Sequence, residues 1–332
     1  MKIRFILFAL ALIAFVSCQQ KNKNYYINDG FIQGTTYHIV YEYDENLGEQ
    51  IFAELNRFDT SLSVYIDEST ISKVNRNLID STADTLFLSC LRRSLEISRI
   101  TGGAMDITVS PLVNVWGFGF DKREHVTQQM IDSLKEFCGY DKIAVVGNKI
   151  IKKDSRVQLN ANAIAQGQST DVICEMFERL AISNYMVEVG GEVRAKGLNP
   201  KGNNWRIGID KPIDDSVAQS RELQDIVMLD NQGLATSGNY RKFYIENGMK
   251  YSHTIDPATG YPAQNGMLSA SVIAPDCITA DALATACMVV GVEKATDMLD
   301  TIPNVGYYLI YSDTLGEMQI KISDNFKSII IN

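Results

Sequence analysis

A chain of 332 residues, 45% hydrophobic and 21% charged, has ample material for one large globular domain or two modest ones. Its formal net charge of −9 argues against nucleic acid, because a phosphate-tracking surface needs concentrated Lys and Arg. An acidic chain that binds a phosphorylated ligand must neutralise it locally, with backbone amides, a few basic side chains or a metal.

The chain begins with basic Lys2 and Arg4 and an apolar run over 5–16, too short to span a membrane as a mature helix. Phe15-Val16-Ser17-Cys18 has the form of a lipoprotein cleavage box, with Phe15 where leucine is usual. Residues 1–17 are therefore expected to leave as a signal peptide and Cys18 to be lipidated. A polar tether over 18–29 and one folded unit over 30–332 follow. That expectation places the protein in the bacterial cell envelope, lipid-anchored to a membrane and facing the periplasm. The remaining cysteines, Cys90, Cys138, Cys174, Cys277 and Cys287, form no C-x-x-C pair and no Cys/His cluster. Buried thiols are expected rather than zinc or disulfides.

In chain order, residues 31–43 read as a strand, and 47–58 as a helix from the stripe Ile51, Phe52, Leu55, Phe58. Ser69 is placed to cap a short helix carrying Ile71 and Val74, and 84–100 is amphipathic up to a glycine stop at Gly102-Gly103. The stretch GGAMDITVSPLVNVWGFG is a loop whose glycines either let backbone approach a ligand or simply join two elements. Residues 127–137 form another capped helix, and 142–152 a hairpin around Gly147-Asn148. The small polar run 160–168 reads as a loop feeding a helix over 171–180, an arrangement suited to an anionic ligand. Strands are expected over 185–195 around Gly190-Gly191, over 205–210 and over 225–229. Residues 233–240 then connect to a hairpin over 241–255, where Arg241 and Lys242 read as solvated charges. After Gly291 come a short helix and three β-rich runs, 306–311, 317–322 and 326–331. Strands and helices interleave without a steady βαβ rhythm, so the fold class is α+β, with mixed, largely antiparallel sheets and packed helices.

The densest stretch is 251–285, YSHTIDPATGYPAQNGMLSASVIAPDCITADALAT. Asp256 precedes a proline, which biases it to extended or turn geometry, and Gly260 tightens the same turn. Residues 268–274 read as a buried strand, and Thr279 as the N-cap of the next helix. On that helix Asp281 and Thr285 stand four apart and share a face. Together they could hold a hard cation such as Mg²⁺, or merely satisfy the helix start. His253, one of three histidines, suits a general base near neutral pH, although a structural strand-end histidine has the same local sequence. Asp256 could do no more than close its own turn, and Trp116 and Phe118 either stack on a ligand or pack in a core.

Eight motifs in order, QGTTY, LSVYIDESTISKVN, TGGAMDITVSPLVNVWGFG, AIAQG…D, VGGEVRAKG, ATSGNYRKF, HTIDPATGYP and ADALAT, resemble the FAD:protein FMN transferase family from about residue 30 onward. The resemblance implies a single catalytic unit that binds FAD with Mg²⁺ on its diphosphate. FMN passes through its phosphate to a Thr or Ser hydroxyl of another exported protein, and AMP leaves. It places the metal on Asp281, Thr285 and the carbonyl of Ala163, and catalysis on His253, with Asp256 beside it. Flavin-contacting positions match Gln33, Tyr65, Ala104, Met105, Asp106, Asn160, Gln166 and Thr259.

Three residues depart from the family pattern. Asn160 stands for an Asp, Gln166 for a Lys and Gln168 for an aromatic residue, which implies altered flavin affinity with the metal ligands intact. Two other readings stay open: hydrolysis of FAD to FMN and AMP, and a surface flavin-binding lipoprotein without catalysis.

Overall fold

A computed structural model describes residues 24–119, 126–212, 222–239, 243–246 and 249–331. The signal segment, Cys18, Arg241 and Lys242 lie outside the described residues. The fold is α+β, and every strand pair among the described residues is antiparallel.

The strands are β1 (Asn24–Ile32), β2 (Thr35–Tyr43), β3 (Ile143–Val146), β4 (Lys149–Lys152), β5 (Tyr185–Val189), β6 (Glu192–Lys196) and β7 (Trp205–Asp210), then β8 (Leu223–Leu229), β9 (Gln232–Gly238), β10 (Phe243–Glu246), β11 (Met249–Ser252), β12 (Met267–Ala274), β13 (Gly306–Ser312) and β14 (Met318–Ile322). The helices are α1 (Gly48–Leu62), α2 (Thr70–Asn75), α3 (Thr85–Ile100), α4 (Ser110–Val115), α5 (Gln128–Lys135), α6 (Ala165–Arg179), α7 (Cys277–Val290), α8 (Val292–Leu299) and α9 (Asp324–Lys327). Eight strands form the main sheet in the order β1-β2-β5-β6-β9-β12-β13-β14.

Side-chain alternation gives this sheet two covered faces. On one face Ile39, Tyr41, Val187 and Val189 pack against α1 and α6, while Ala270, Val272 and Leu309 pack against the α3, α7 and α8 side. Val40, Val193, Leu234, Ile273 and Ile310 point the other way, onto the β7–β8 hairpin and Phe326. Helix α7 lies deep in this arrangement: 11 of its 14 residues are buried, so small residues let it pack on all sides. Among the described residues no helix is long and apolar enough to cross a membrane, and the five cysteines there are free and buried.

Several expectations are corrected. Residues 31–43 are not one strand: Gln33 (φ 53°) and Gly34 (φ 74°) make a two-residue turn between β1 and β2, as hairpins with left-handed central residues do. β1 begins at Asn24, within the stretch expected to be a tether. Helix α6 starts at Ala165, because the small polar residues 166–170 are what fits beneath α7. Residues 232–238 are a central strand, β9, and not a connection. The last β-rich run contains α9, capped by Ser323, with only an isolated bridge from Ile330 to Val227. Asp276, not Thr279, caps α7: its carboxylate accepts the Thr279 amide at 3.0 Å. The expected caps at Ser69 and Thr127 are present, and Asp84 caps α3.

Candidate functional site

The site is built where the first turns of α6 and α7 cross. Each helix leaves its leading amides unsatisfied, and here α6 turns one and α7 two toward a carboxylate on the other. The Gly167 N–H donates to Asp281 Oδ2 at 3.0 Å. In return Asp171, one turn further along α6, accepts from Cys277 N–H (3.0 Å) and Ile278 N–H (2.8 Å) at the start of α7. Arg194 on β6 completes this clasp with a 2.9 Å ion pair to Asp171. The helices approach so closely that a Cβ at Gly167 would stand 2.5 Å from the Cys277 carbonyl and 2.8 Å from Asp281 Cβ.

Asp281 is 6% exposed. Burial, only partly offset by the Gly167 amide and increased by the charge of Asp171, pushes its carboxyl up to about 7. Burial likewise raises Asp171 to about 6, outweighing its amide donors and Arg194. A buried carboxylate answered by one amide needs either a proton or a cation. Thr285, one turn on, lies 3.4 Å from the Ser237 hydroxyl of β9. Ala163 sits on the approach to α6; the Gly167 amide, which one more turn of helix would aim at its carbonyl, is the one given to Asp281. A carboxylate, a hydroxyl and a carbonyl are an all-oxygen set and fit Mg²⁺. Among the described residues no three His, Cys, Asp or Glu side chains converge as they would for a softer metal.

Two cavities open near these helices, one at the start of α6 and one at the end of α7. The larger, about 560 Å³, is lined by Gln33, Tyr65, Ile66, Asn162, Ala165 and Gln166. Gln33 donates to Leu55 O at 3.3 Å, while its buried Oε1 has no partner among the described residues. The smaller, about 320 Å³, is lined by Gly103, Ala104, Asp106, Tyr140, Asp256 and Lys294, with Val289 and Val290 from the end of α7. Eight residues of helix separate Asp281 from Val289, a rise of about 12 Å. A bond from Asn160 N–H to Ile107 O (2.8 Å) joins the two loops between the cavities.

The predicted ligand contacts divide accordingly. Gln33, Tyr65 and Gln166 share the larger cavity, and Ala104 and Asp106 the smaller. Met105 is 1% exposed and its side chain belongs to the core. Asp106 is turned into its own loop, accepting from Thr108 N–H and Oγ1 (2.8 and 2.7 Å) and from Tyr140 N–H (2.8 Å). Asn160 Oδ1 accepts the Asn162 amide at 2.9 Å. Gln168 is buried and donates to Ser89 Oγ (2.7 Å) on α3, so it faces the core and not a ligand. Asp256 closes its turn by accepting the Ala258 amide at 2.8 Å, and Thr259 is exposed and accepts from Tyr261 N–H.

His253 follows β11 and is half-buried. An aromatic layer supports it: Trp116 stacks on Tyr251 (6.1 Å), Tyr251 on Tyr244 (5.2 Å) and Tyr244 on Phe118 (5.2 Å). The Phe118 ring presents an edge-on contact to the imidazole at 6.5 Å. Trp116 is a core residue, bonded to Gly260 O at 2.8 Å. The roles of Asp171 and Arg194 escape a reading of local patterns, because their partners are distant in the chain; Asn162 and Lys294, outside the motifs, line the two cavities.

Known proteins share this fold. The ApbE family profile matches residues 33–309. The FAD:protein FMN transferase of Haemophilus influenzae is 36% identical over 97% of this chain and 95% of its own length. The enzyme of that name from Escherichia coli is 32% identical over 100% of this chain and 99% of its own. Among solved structures, the flavin transferase ApbE from Vibrio cholerae superposes with a TM-score of 0.81 at 32% identity, covering 92% of this chain and 99% of that one. The apo flavinyl transferase ApbE from Pseudomonas stutzeri gives 0.81 at 27% identity, covering 92% and 97%. With a profile match over most of its length and relatives above 30% identity end to end, the chain belongs to the ApbE family.

Proposed function

We propose that this protein transfers FMN from FAD to a Thr or Ser hydroxyl of an exported acceptor protein and releases AMP. The observation that carries the reading is the buried Asp281 carboxylate, met by one amide at the crossing of α6 and α7. FAD is a two-part ligand joined by a diphosphate, and two cavities whose loops are joined by the Asn160–Ile107 bond suit its shape. Mg²⁺ on Asp281, Thr285 and the Ala163 carbonyl would neutralise charge on that diphosphate.

The chain's own residues supply binding, orientation and proton handling. Gln33 offers an unmet acceptor and Tyr65 an exposed ring to the ligand part in the larger cavity. In the transfer, the acceptor oxygen bonds to the FMN phosphorus while the anhydride P–O bond to AMP breaks. His253 takes the hydroxyl proton, a contribution of about 10²–10⁴-fold for a positioned base. Its aromatic support keeps water from the same phosphorus, favouring transfer over hydrolysis.

Purified protein with FAD, Mg²⁺ and a Thr-containing acceptor peptide is expected to yield a fluorescent peptide carrying FMN, with one AMP per product. AMP appearing at an equal rate without acceptor would instead establish hydrolysis, and tight FAD binding without AMP would leave a binding protein. His253→Ala should slow transfer while FAD still binds. The N-terminal motif extends the proposal to a lipid on Cys18 holding the enzyme at the periplasmic side of a membrane; Cys18→Ala should release it into the soluble fraction.

A further inference from the structure

A third cavity, of about 210 Å³, lies apart from the two already described. Its walls include Asn239, Ser252, Gln264, Asn265, Met267 and Met288. Asn239 directly follows β9 and is pinned to the start of β12. Its N–H donates to Leu268 O at 3.1 Å and its Nδ2 to Met267 O at 2.6 Å. With the amide so oriented, the buried Oδ1 has no partner among the described residues. The neighbouring Asn265 is already committed: Nδ2 caps the end of α7 through Met288 O (3.0 Å) and Val289 O (2.9 Å), and Oδ1 accepts the Met267 amide.

Connectivity ties this cavity to the reaction centre. Ser252, a wall residue, immediately precedes His253. Two residues before Asn239, Ser237 contacts Thr285. At about 210 Å³ the cavity is below the roughly 300–1,000 Å³ usual for small-molecule sites, so it does not hold FAD as a whole. No lysine, arginine or carboxylate is among its lining residues, so it does not suit a phosphate either. What it offers is a fixed neutral acceptor among amides and a hydroxyl, the chemistry that recognises peptide main chain.

We propose that this cavity is the docking subsite for the acceptor polypeptide, holding a short extended stretch beside the modified hydroxyl. Asn239 Oδ1 accepts one of that segment's backbone N–H groups. The proposal rests on the transferase reading and adds to it the place where the second substrate is held.

The test is a kinetic split on the full chain with FAD, Mg²⁺ and a hydroxyl-bearing acceptor peptide. Asn239→Ala should raise KM for the peptide about 2- to 12-fold, the worth of one neutral hydrogen bond, with KM for FAD unmoved. Gln264→Trp, at an exposed wall position, should raise peptide KM more than about 10-fold by filling the space, again without shifting KM for FAD. An unchanged peptide KM in both active variants means a water-filled void only and overturns the proposal. If KM for FAD rises in parallel, the cavity belongs to the flavin site, and the proposal is equally overturned. A wild-type chain that makes no flavinylated peptide sinks the transferase reading itself, an outcome visible before any variant is made.

Discussion

The Gly167 amide hydrogen-bonds the Asp281 carboxylate at 3.0 Å across 114 residues of sequence, and the absence of a side chain at Gly167 makes that distance possible. A methyl group there would press on the Cys277 backbone carbonyl, which cannot swing aside as a flexible side chain could. Gly167→Ala is therefore expected to push the helices apart, costing about 1–3 kcal/mol of stability by overpacking. It should also raise the Mg²⁺ concentration for half-maximal AMP release while FAD binding changes little. A thermal melt and a Mg²⁺ titration check both; a variant with unchanged Mg²⁺ dependence would show that the close approach does not set the metal seat.

Features with local causes were legible in the sequence. Ser69 and Thr127 cap their own helices within three residues, and Gly147-Asn148 closes its own hairpin. The misread segments take their structure from distant partners. Residues 233–238 are small and read as a connection, yet smallness is what a central strand under α7 requires: a Cβ at Gly233 would lie 2.4 Å from Cys277 Cα. The polar run 166–170 misled for the same reason. Motifs single out Asp281, Thr285 and Ala163 as the candidate metal seat, whereas the clasp between Asp171 and the start of α7 spans more than 100 residues and leaves no local pattern. Met105 and Asp106 sit in the expected loop, but which way a loop side chain points is decided by packing that spacing does not encode.

Asp171 holds the start of α7 through two amides and Arg194 through an ion pair, all away from solvent. Asp171→Asn keeps the size but puts an NH2 donor in place of one acceptor oxygen, and leaves Arg194 with Glu178 at 3.7 Å as its remaining charge partner. Breaking one side of a buried pair costs about 3–5 kcal/mol. The thermal midpoint should fall accordingly, and Mg²⁺ affinity in the fraction that folds should drop with it. An unshifted midpoint would mean the clasp contributes nothing net.

The two raised carboxyls give the metal-free protein a distinctive pH response. Between the ordinary aspartate value of 3.8 and about 7, the folded state holds a proton on Asp281 that the unfolded chain has lost. Asp171, raised to about 6, adds to the effect. The folded state then binds more protons, so stability is greatest at the low end of this window and declines as pH rises through it. Melts in chelator from about pH 5 to about pH 8 should show that decline, and Asp281→Asn should reduce it. Excess Mg²⁺ should oppose it, because the cation favours the deprotonated carboxylate. A slope equal in wild type and Asp281→Asn would place the titration elsewhere.

Gln166 tests how far this chain's departures from the family pattern matter. It lines the larger cavity, and its Nε2 would stand 2.8 Å from a Cβ at Gly190, so it packs on the β5–β6 turn with the cavity beside it. The glutamine donates to an anionic ligand without neutralising it, whereas a lysine would do both. Gln166→Lys should therefore lower KM for FAD about 3- to 10-fold at low salt, with the gain shrinking as ionic strength rises. Gln168→Phe is the matched control: its position faces Ser89 and the core, so it should lower the thermal midpoint and leave KM for FAD unchanged. If Gln166→Lys leaves KM for FAD the same at every salt concentration, the phosphates of FAD do not pass this residue. The diphosphate must then be neutralised wholly at the α6–α7 crossing.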